Sequence, residues 1–294
     1  MSRSRDRIWF AVAGAIGVAL IAVLAGIVRA GPLEPTAAPG PTDAVKLPGT
    51  PISALPFTIN DPGHYYLTRD LGINSAHAII VNAADVSIDL GGFTLSGNDS
   101  GAGNGININS AAADRLTVEN GTIRDFGTGI FGLASDDARY RNLTLYSNST
   151  GVVLGVGGVI SGCVARENVD GVYIAGNFVV VRDCVITGSL QRGVVVNDGL
   201  FSGLIERTRI ETNNTFSNAN GGGIMSDGNR LTVRDSSFSY NAVRDIHLTG
   251  DDNVMIDNVF HCPGRVTLVA GATNNFFPTN TTDPHTNRTV QTAC

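Results

Sequence analysis

From about residue 78 the chain alternates hydrophobic and polar positions in short runs, and the runs recur. "GINI" at Gly105, "GIFG" at Gly129, "GVVL" at Gly151, "GVYI" at Gly171, "GVVV" at Gly193 and "GIMS" at Gly223 each set a glycine before a few strand residues. These glycines stand 24, 22, 20, 22 and 30 residues apart, and "DIHL" at Asp245 follows after 22 more. A second alternating run follows each one, as "LTVENGTI", "RYRNLTL", "VISGCVA", "VVVRDCVI", "GLIERTRI" and "LTVRDSSF". A period of two marks strands with one buried face. Asn120, Asn142, Asp183 and Asp235 share one column inside the second runs, where residues that tolerate tight bends and left-handed backbone belong.

Three short strands and three turns cannot bury their own face, so the units must stack into a solenoid. Unequal unit lengths argue against a left-handed hexapeptide helix. They predict an all-β, single-stranded, right-handed parallel β-helix over residues 78–269. At about 4.8 Å per strand, eight or nine turns make a rod about 40 Å long. Alternation then sets the register of the first strand in each turn. Ile106, Ile130, Val152, Val172, Val194, Ile224 and Ile246 face inward, and Asn107, Phe131, Val153, Tyr173, Val195, Met225 and His247 face outward.

The N-terminus is different. Arg3, Arg5 and Arg7 precede an uncharged run from Ile8 to Val28, which predicts a hydrophobic helix within residues 1–30. It serves either as an uncleaved membrane anchor through residues 8–28 or as a signal cleaved after Ala30, and both export the rest of the chain. Residues 31–51 read as a Pro/Ala/Gly-rich linker, 52–77 as an N-terminal cap and 270–294 as a C-terminal tail. Composition agrees with one exported domain: 294 residues, 43% hydrophobic, 36 glycines and a net charge of −6. Lys46 is the only lysine and the arginines are dispersed, so no basic patch exists for a nucleic-acid partner.

"DVSIDLGGFTLSG" (Asp85 to Gly97), preceded by "PFTINDPGHYYLTRDL", resembles the opening of bacterial secreted β-helix proteins of the pectin-lyase-like superfamily. The resemblance runs from about Pro56 to Cys262 and implies the fold. The superfamily includes polysaccharide lyases, hydrolases, epimerases, tailspikes and adhesins, so it does not imply an activity. In its enzymes the sheet of the first strands usually carries the cleft, which directs attention to the outward column.

That column holds no carboxylate and no arginine. An inverting glycosidase needs two carboxyl groups roughly 6.5–9.5 Å apart, and none pair here. A uronate lyase must neutralise a carboxylate with Ca²⁺ or Arg and place a base, a set the column lacks. Tyr173 and His247 stand three turns apart, about 14 Å. "DPH" at Asp283 to His285 reads as a turn in the tail, and a NosD-like periplasmic accessory role would call for a metal-ligand cluster that the sequence does not show.

Several candidates remain. The outward apolar strip, with Phe131, Tyr173, Met225 and His247 as ligand-binding candidates, implies a covering loop or tail, a partner or a ligand. Asp198, Asp227 and Asp252, beside Asp251, read as turn residues or as a Ca²⁺-binding edge. The column Glu119, Arg141, Ser161, Arg182, Glu206, Arg234, Asp257 reads as a solvated charge ladder. Cys163 and Cys184 share a core-facing column with Leu143 and Val259, as a disulfide or as stacked thiols, and Cys262 with Cys294 form a disulfide clasp on the tail. Two functions are expected: an envelope-tethered or secreted scaffold binding polysaccharide or an envelope protein through its lateral face, or a polysaccharide-active enzyme of lyase or epimerase type.

Overall fold

The computed structural model describes residues 49–279 apart from 75, 100, 109, 112, 218, 262–265 and 269–272. The chain divides into two compact units, Met1–Leu47 and Pro48–Cys294. The expected hydrophobic helix and nearly all of the linker, the Cys262–Cys294 clasp, and Asp283 with His285 therefore lie outside the described residues.

The described chain is a right-handed parallel β-helix of about nine turns with no helix in it. Ten parallel strands, from Phe57–Ile59 to Val266–Leu268, form a lateral sheet. The other strands form two further columns, fused into one sheet where Thr117–Arg124 and Arg139–Tyr146 run straight through the bend between them. The ladder starts earlier than expected. Thr50–Ile52 pairs with Tyr65–Leu67 and Phe57–Ile59 with Ile79–Val81, so residues 52–77 supply strands of the first turns rather than a separate cap.

Register follows the alternation. Ile106, Ile130, Val152, Val172, Val194, Ile224 and Ile246 stack in line, each fully buried. At the bend, Asn120, Asn142, Asp183 and Asp235 take left-handed φ of 60°, 52°, 54° and 50°. Gly162, Arg207 and Asp257 occupy the same column at 63°, 46° and 53°. Asp257 is thus a bend residue, and the partner of Arg234 in the charge ladder is Ile256. The column after the bend is Leu143, Cys163, Cys184, Thr208, Ser236 and Asn258; Val259 lies one place further on, opposite Ser237.

The repeated glycines have a steric cause. A methyl group at Gly171 would stand 2.5 Å from the carbonyl oxygen of Gly193, and one at Gly193 would stand 2.6 Å from that of Gly223. Gly129 and Gly151 are pressed in the same way against the next glycine of the column. Their other neighbour is an asparagine: buried Asn148 beside Gly129, Asn168 beside Gly151 and Asn213 beside Gly193, and half-buried Asn241 beside Gly223. These asparagines form a ladder along the axis. Asn148 donates its backbone N–H to Asn168 Oδ1 (2.9 Å), and Asn213 donates to Asn241 Oδ1 (3.1 Å). Each Nδ2 reaches a carbonyl of the turn below, Leu145 O from Asn168 (2.9 Å) and Ile186 O from Asn213 (3.1 Å). Ser189 breaks the series, and its buried hydroxyl makes no hydrogen bond. Buried polar groups are satisfied elsewhere in the ladder, so Ser189 is its defect.

Candidate functional site

The lateral sheet stacks Asn107, Phe131, Val153, Tyr173, Val195, Met225 and His247 in one outward column. The expectation of a continuous exposed apolar strip is only half met. Val153 and Val195 are 8% and 6% exposed, while Phe131, Tyr173 and Met225 stay half-buried. Large side chains therefore alternate with valines, two strand spacings or about 10 Å apart. Val153 and Val195 are thus covered between their larger neighbours. Tyr173 and His247 are three strands apart and so do not act on one bond.

Beside this column lies a second one, formed by the residue before each repeated glycine: Thr128, Thr150, Asp170, Arg192 and Gly222. Arg244, before Asp245, continues it. Arg192 donates Nε to Asp170 Oδ1 (2.8 Å) and Nη2 to Oδ2 (2.6 Å). Asp170 is buried at 7% exposure, so a charge-assisted fork stands where an unpaired carboxylate would be costly. Arg244 donates Nη1 to His247 Nδ1 (2.8 Å) and Nη2 to the Ala219 carbonyl (2.8 Å). A methyl at Gly222 would meet the Arg244 carbonyl at 2.6 Å and its Cγ at 2.8 Å, so glycine leaves room for that arginine. Burial first, and then the Arg244 charge, hold the His247 pKa below the ordinary histidine range, against an upward pull from Asp227.

The other candidates separate. The Ca²⁺ edge does not assemble: Asp227 accepts from the Thr249 hydroxyl (2.7 Å), Asp252 faces Arg230 (3.8 Å), and Asp198 joins neither. Among the described residues no group of three or more His, Cys, Asp or Glu could hold a metal ion. Cys163 and Cys184 are free, buried thiols, so the disulfide alternative is not what the structure holds. They act as rungs of a second polar ladder. Leu143 donates its N–H to Cys163 Sγ (3.4 Å), Cys184 donates to Thr208 Oγ1 (3.4 Å), Thr208 to Ser236 Oγ (3.2 Å) and Ser236 to Asn258 Oδ1 (3.0 Å). The hydrogen bond to Cys184, with burial behind it, keeps Cys163 well above the ordinary thiol range, so it is no nucleophile. In the charge ladder, Arg141 pairs with Glu119 (3.2 Å) as expected of a solvated sheet face, whereas the Glu206 that pairs with Arg234 (2.6 Å) is buried, so the ladder is solvated only in part.

Coil geometry and strand register together define a parallel β-helix class seen in several solved proteins. The alginate lyase from Paenibacillus sp. str. FPU-7 matches with a TM-score of 0.66 at 16% identity, over 76% of this chain and 90% of that one. The ORF18 protein of Geobacillus virus E2 gives 0.59 at 12%, over 78% and 51%. The A-module of the mannuronan C-5 epimerase AlgE4 from Azotobacter vinelandii gives 0.50 at 14%, over 76% and 87%. At such identities these likenesses establish the fold alone. No curated protein matches the sequence. Residues 84–292 match the family described as "Periplasmic copper-binding protein (NosD)", and the chain belongs to the NosD family.

Family membership corrects the expectation drawn from the missing ligand cluster, but among the described residues no three His, Cys, Asp or Glu come together to hold copper. Copper takes His, Cys and Met donors. A guanidinium can only donate, so His247 Nδ1 is the acceptor and Nε2 carries the proton, which leaves the ring no lone pair for a metal. His77 Nδ1 is likewise taken by the Asn104 N–H (3.1 Å). Cys163 and Cys184 are enclosed in the core among backbone partners.

Proposed function

We propose that this NosD-family chain is an exported, non-catalytic β-helix that binds a polysaccharide along its lateral sheet. The observation that carries the reading is the alternation of half-buried Phe131, Tyr173 and Met225 with buried Val153 and Val195. An outward strand face in water is ordinarily polar, and regularly spaced apolar ridges offer platforms for the apolar faces of sugar rings. Export and membrane tethering rest on the Arg3, Arg5, Arg7 and Ile8–Val28 pattern together with the periplasmic description of the family. A lyase or epimerase is the alternative reading: Tyr173 lies close enough to Arg192 for the two to interact electrostatically, and a tyrosine hydroxyl is one of the groups that can serve as a general base.

The test is a binding screen of soluble polysaccharides against the wild type and a Phe131→Ala/Tyr173→Ala double variant. The double variant should lose binding while keeping its melting temperature. Unchanged binding would sink the reading, and ultraviolet absorbance from an unsaturated product would replace it with a lyase.

A further inference from the structure

We infer that the long edge carrying Phe178 is a dimerisation surface, on which a second copy of this chain packs antiparallel about a two-fold axis through Phe178. The inference is independent of the polysaccharide reading. The edge is the line of turns leading out of the lateral sheet, and its residues keep strict register because each stands just ahead of a paired strand of the next sheet. From Phe178 the line runs through Gly157, Asp137 and Arg115 towards the N-terminus and through Ser202, Arg230 and Asp252 towards the C-terminus, one residue per turn. All have left-handed φ, between 55° and 78°. A bulky aromatic residue is an uncommon occupant of that backbone, yet Phe178 holds it at 61° and leaves 66% of its surface in water. Leu133 and Val156, 48% and 40% exposed, add apolar surface on the two preceding turns.

The charges along the edge select its occupant. Counting outward from Phe178, the second turn holds Asp137 on one side and Arg230 on the other, and the third holds Arg115 and Asp252. A two-fold axis through Phe178 therefore lays ring beside ring, Asp137 against the partner's Arg230 and Arg115 against the partner's Asp252, each pair occurring twice. Neighbouring arrangements lose this match. In a parallel pair every residue meets its own copy, so Arg115 faces Arg115 and Asp137 faces Asp137. Moving the axis by half a turn sets Arg115 against Arg230 in one direction and Asp137 against Asp252 in the other, and moving it by a full turn sets Phe178 against a charge. Like charges across an interface suppress the wrong pairings. Arg115 and Arg230 already pair within the chain, with Asp85 (2.6 Å) and Asp252 (3.8 Å), but 55% and 65% of their side-chain surface is exposed, and the five N–H donors of an arginine can serve two carboxylates. An edge about 40 Å long and a single turn wide buries less than the roughly 800 Å² per partner of a standard interface, so the dimer is a weak and salt-sensitive one.

The experiment is sedimentation velocity of the full-length chain in a density-matched detergent, over a micromolar concentration series at low and at high salt. A concentration-dependent dimer should form at low salt, and its dissociation constant should rise about tenfold or more at high salt. Phe178→Gly removes the ring and suits the left-handed backbone, so it should abolish the dimer while keeping or raising the melting temperature. Asp137→Arg and Arg230→Asp should each abolish the dimer as well, and the double variant should restore it. Within one chain these two residues are four turns or about 19 Å apart, beyond the reach of a direct pair, so rescue can come only from a contact between copies. A chain that stays monomeric across the series, or a dimer indifferent to Phe178→Gly or to both charge variants, would overturn the inference. Loss of the dimer in each charge variant without rescue in the double would overturn the antiparallel two-fold, and the inference with it.

Discussion

Ser189→Asn should stabilise the protein, which is an unusual direction for a buried substitution. At the equivalent position Asn148, Asn168, Asn213 and Asn241 each reach a carbonyl through Nδ2, and each Oδ1 accepts a backbone N–H from the turn below. An asparagine at 189 would accept from the Asn168 N–H and donate to the carbonyl of Ala165, which is in register with Leu145 and Ile186, the acceptors in adjacent turns. It would also replace a buried hydroxyl that makes no hydrogen bond. The longer side chain must share its space with Ile186, whose Cγ2 would stand 2.9 Å from a methyl at Gly171, so a small shift of that isoleucine goes with the substitution. Two hydrogen bonds at about 1 kcal/mol each, reduced by the ordering of one more side chain, leave a gain of about 1–2 kcal/mol. For a domain of this size that raises the melting temperature by roughly 2–8 °C. Thermal unfolding followed by circular dichroism, with Asn168→Ser as the reciprocal variant, measures it. A melting temperature at or below wild type for Ser189→Asn would refute the claim that the ladder is a stabilising element with one vacancy.

Other outcomes follow from the same geometry. Glu206 is 5% exposed; burial pushes its pKa up, but hydrogen bonds from Arg234 and Arg207 outweigh that and leave it below the ordinary range. Its contribution to stability is therefore present above the ordinary carboxylate range and lost as pH falls through the lowered value. Glu206→Gln should cost about 1–2 kcal/mol in urea unfolding at neutral pH, since both arginines are half-exposed, and the gap should close in acid. His247 has the opposite charge logic but the same direction. Its folded pKa lies below the unfolded value of about 6.5, so the stability it adds is present above that and lost as pH falls; His247→Gln should flatten this acid dependence of the melting temperature. Tyr140 is fully buried, its hydroxyl makes no hydrogen bond, and burial drives its pKa far above the usual tyrosine range. Tyr140→Phe should be neutral or stabilising by about 1 kcal/mol in denaturant titration, and a clear loss would show that the hydroxyl has a partner after all.

The columns of Ile130, Phe131 and Asn142 were legible in the sequence because alternation and repeat spacing encode them directly. The arginines of the lateral face were not, for a definite reason. Counting back by twos from inward Val194 places Arg192 in the core, but the chain breaks its alternation at Gly193. Thr128 and Phe131, or Arg192 and Val195, face outward three residues apart. The signal was present, since each of these residues directly precedes a repeated glycine. The stacked-thiol alternative for Cys163 and Cys184 is what the structure holds, but their place in a hydrogen-bonded ladder was hidden for a related reason. Their column mates Thr208, Ser236 and Asn258 are polar acceptors, and that role is visible only once hydrogen bonds between turns are known. Asp257 was placed by its charge, whereas its backbone φ of 53° assigns it to the bend.

The column of glycines also acts as a proofreading device during assembly of the rod. A turn that docks one residue out of step brings a side chain to a point where the next carbonyl leaves no space for even a methyl group. Slipped pairings are the characteristic error of parallel coils, and here they are rejected by steric exclusion at every turn from Gly105 to Gly223, independently of how well the hydrophobic faces match. The corner thereby fixes where length is free to vary. Insertions such as the 30-residue interval between Gly193 and Gly223 are absorbed in the loops, while the spacing along the axis is untouched.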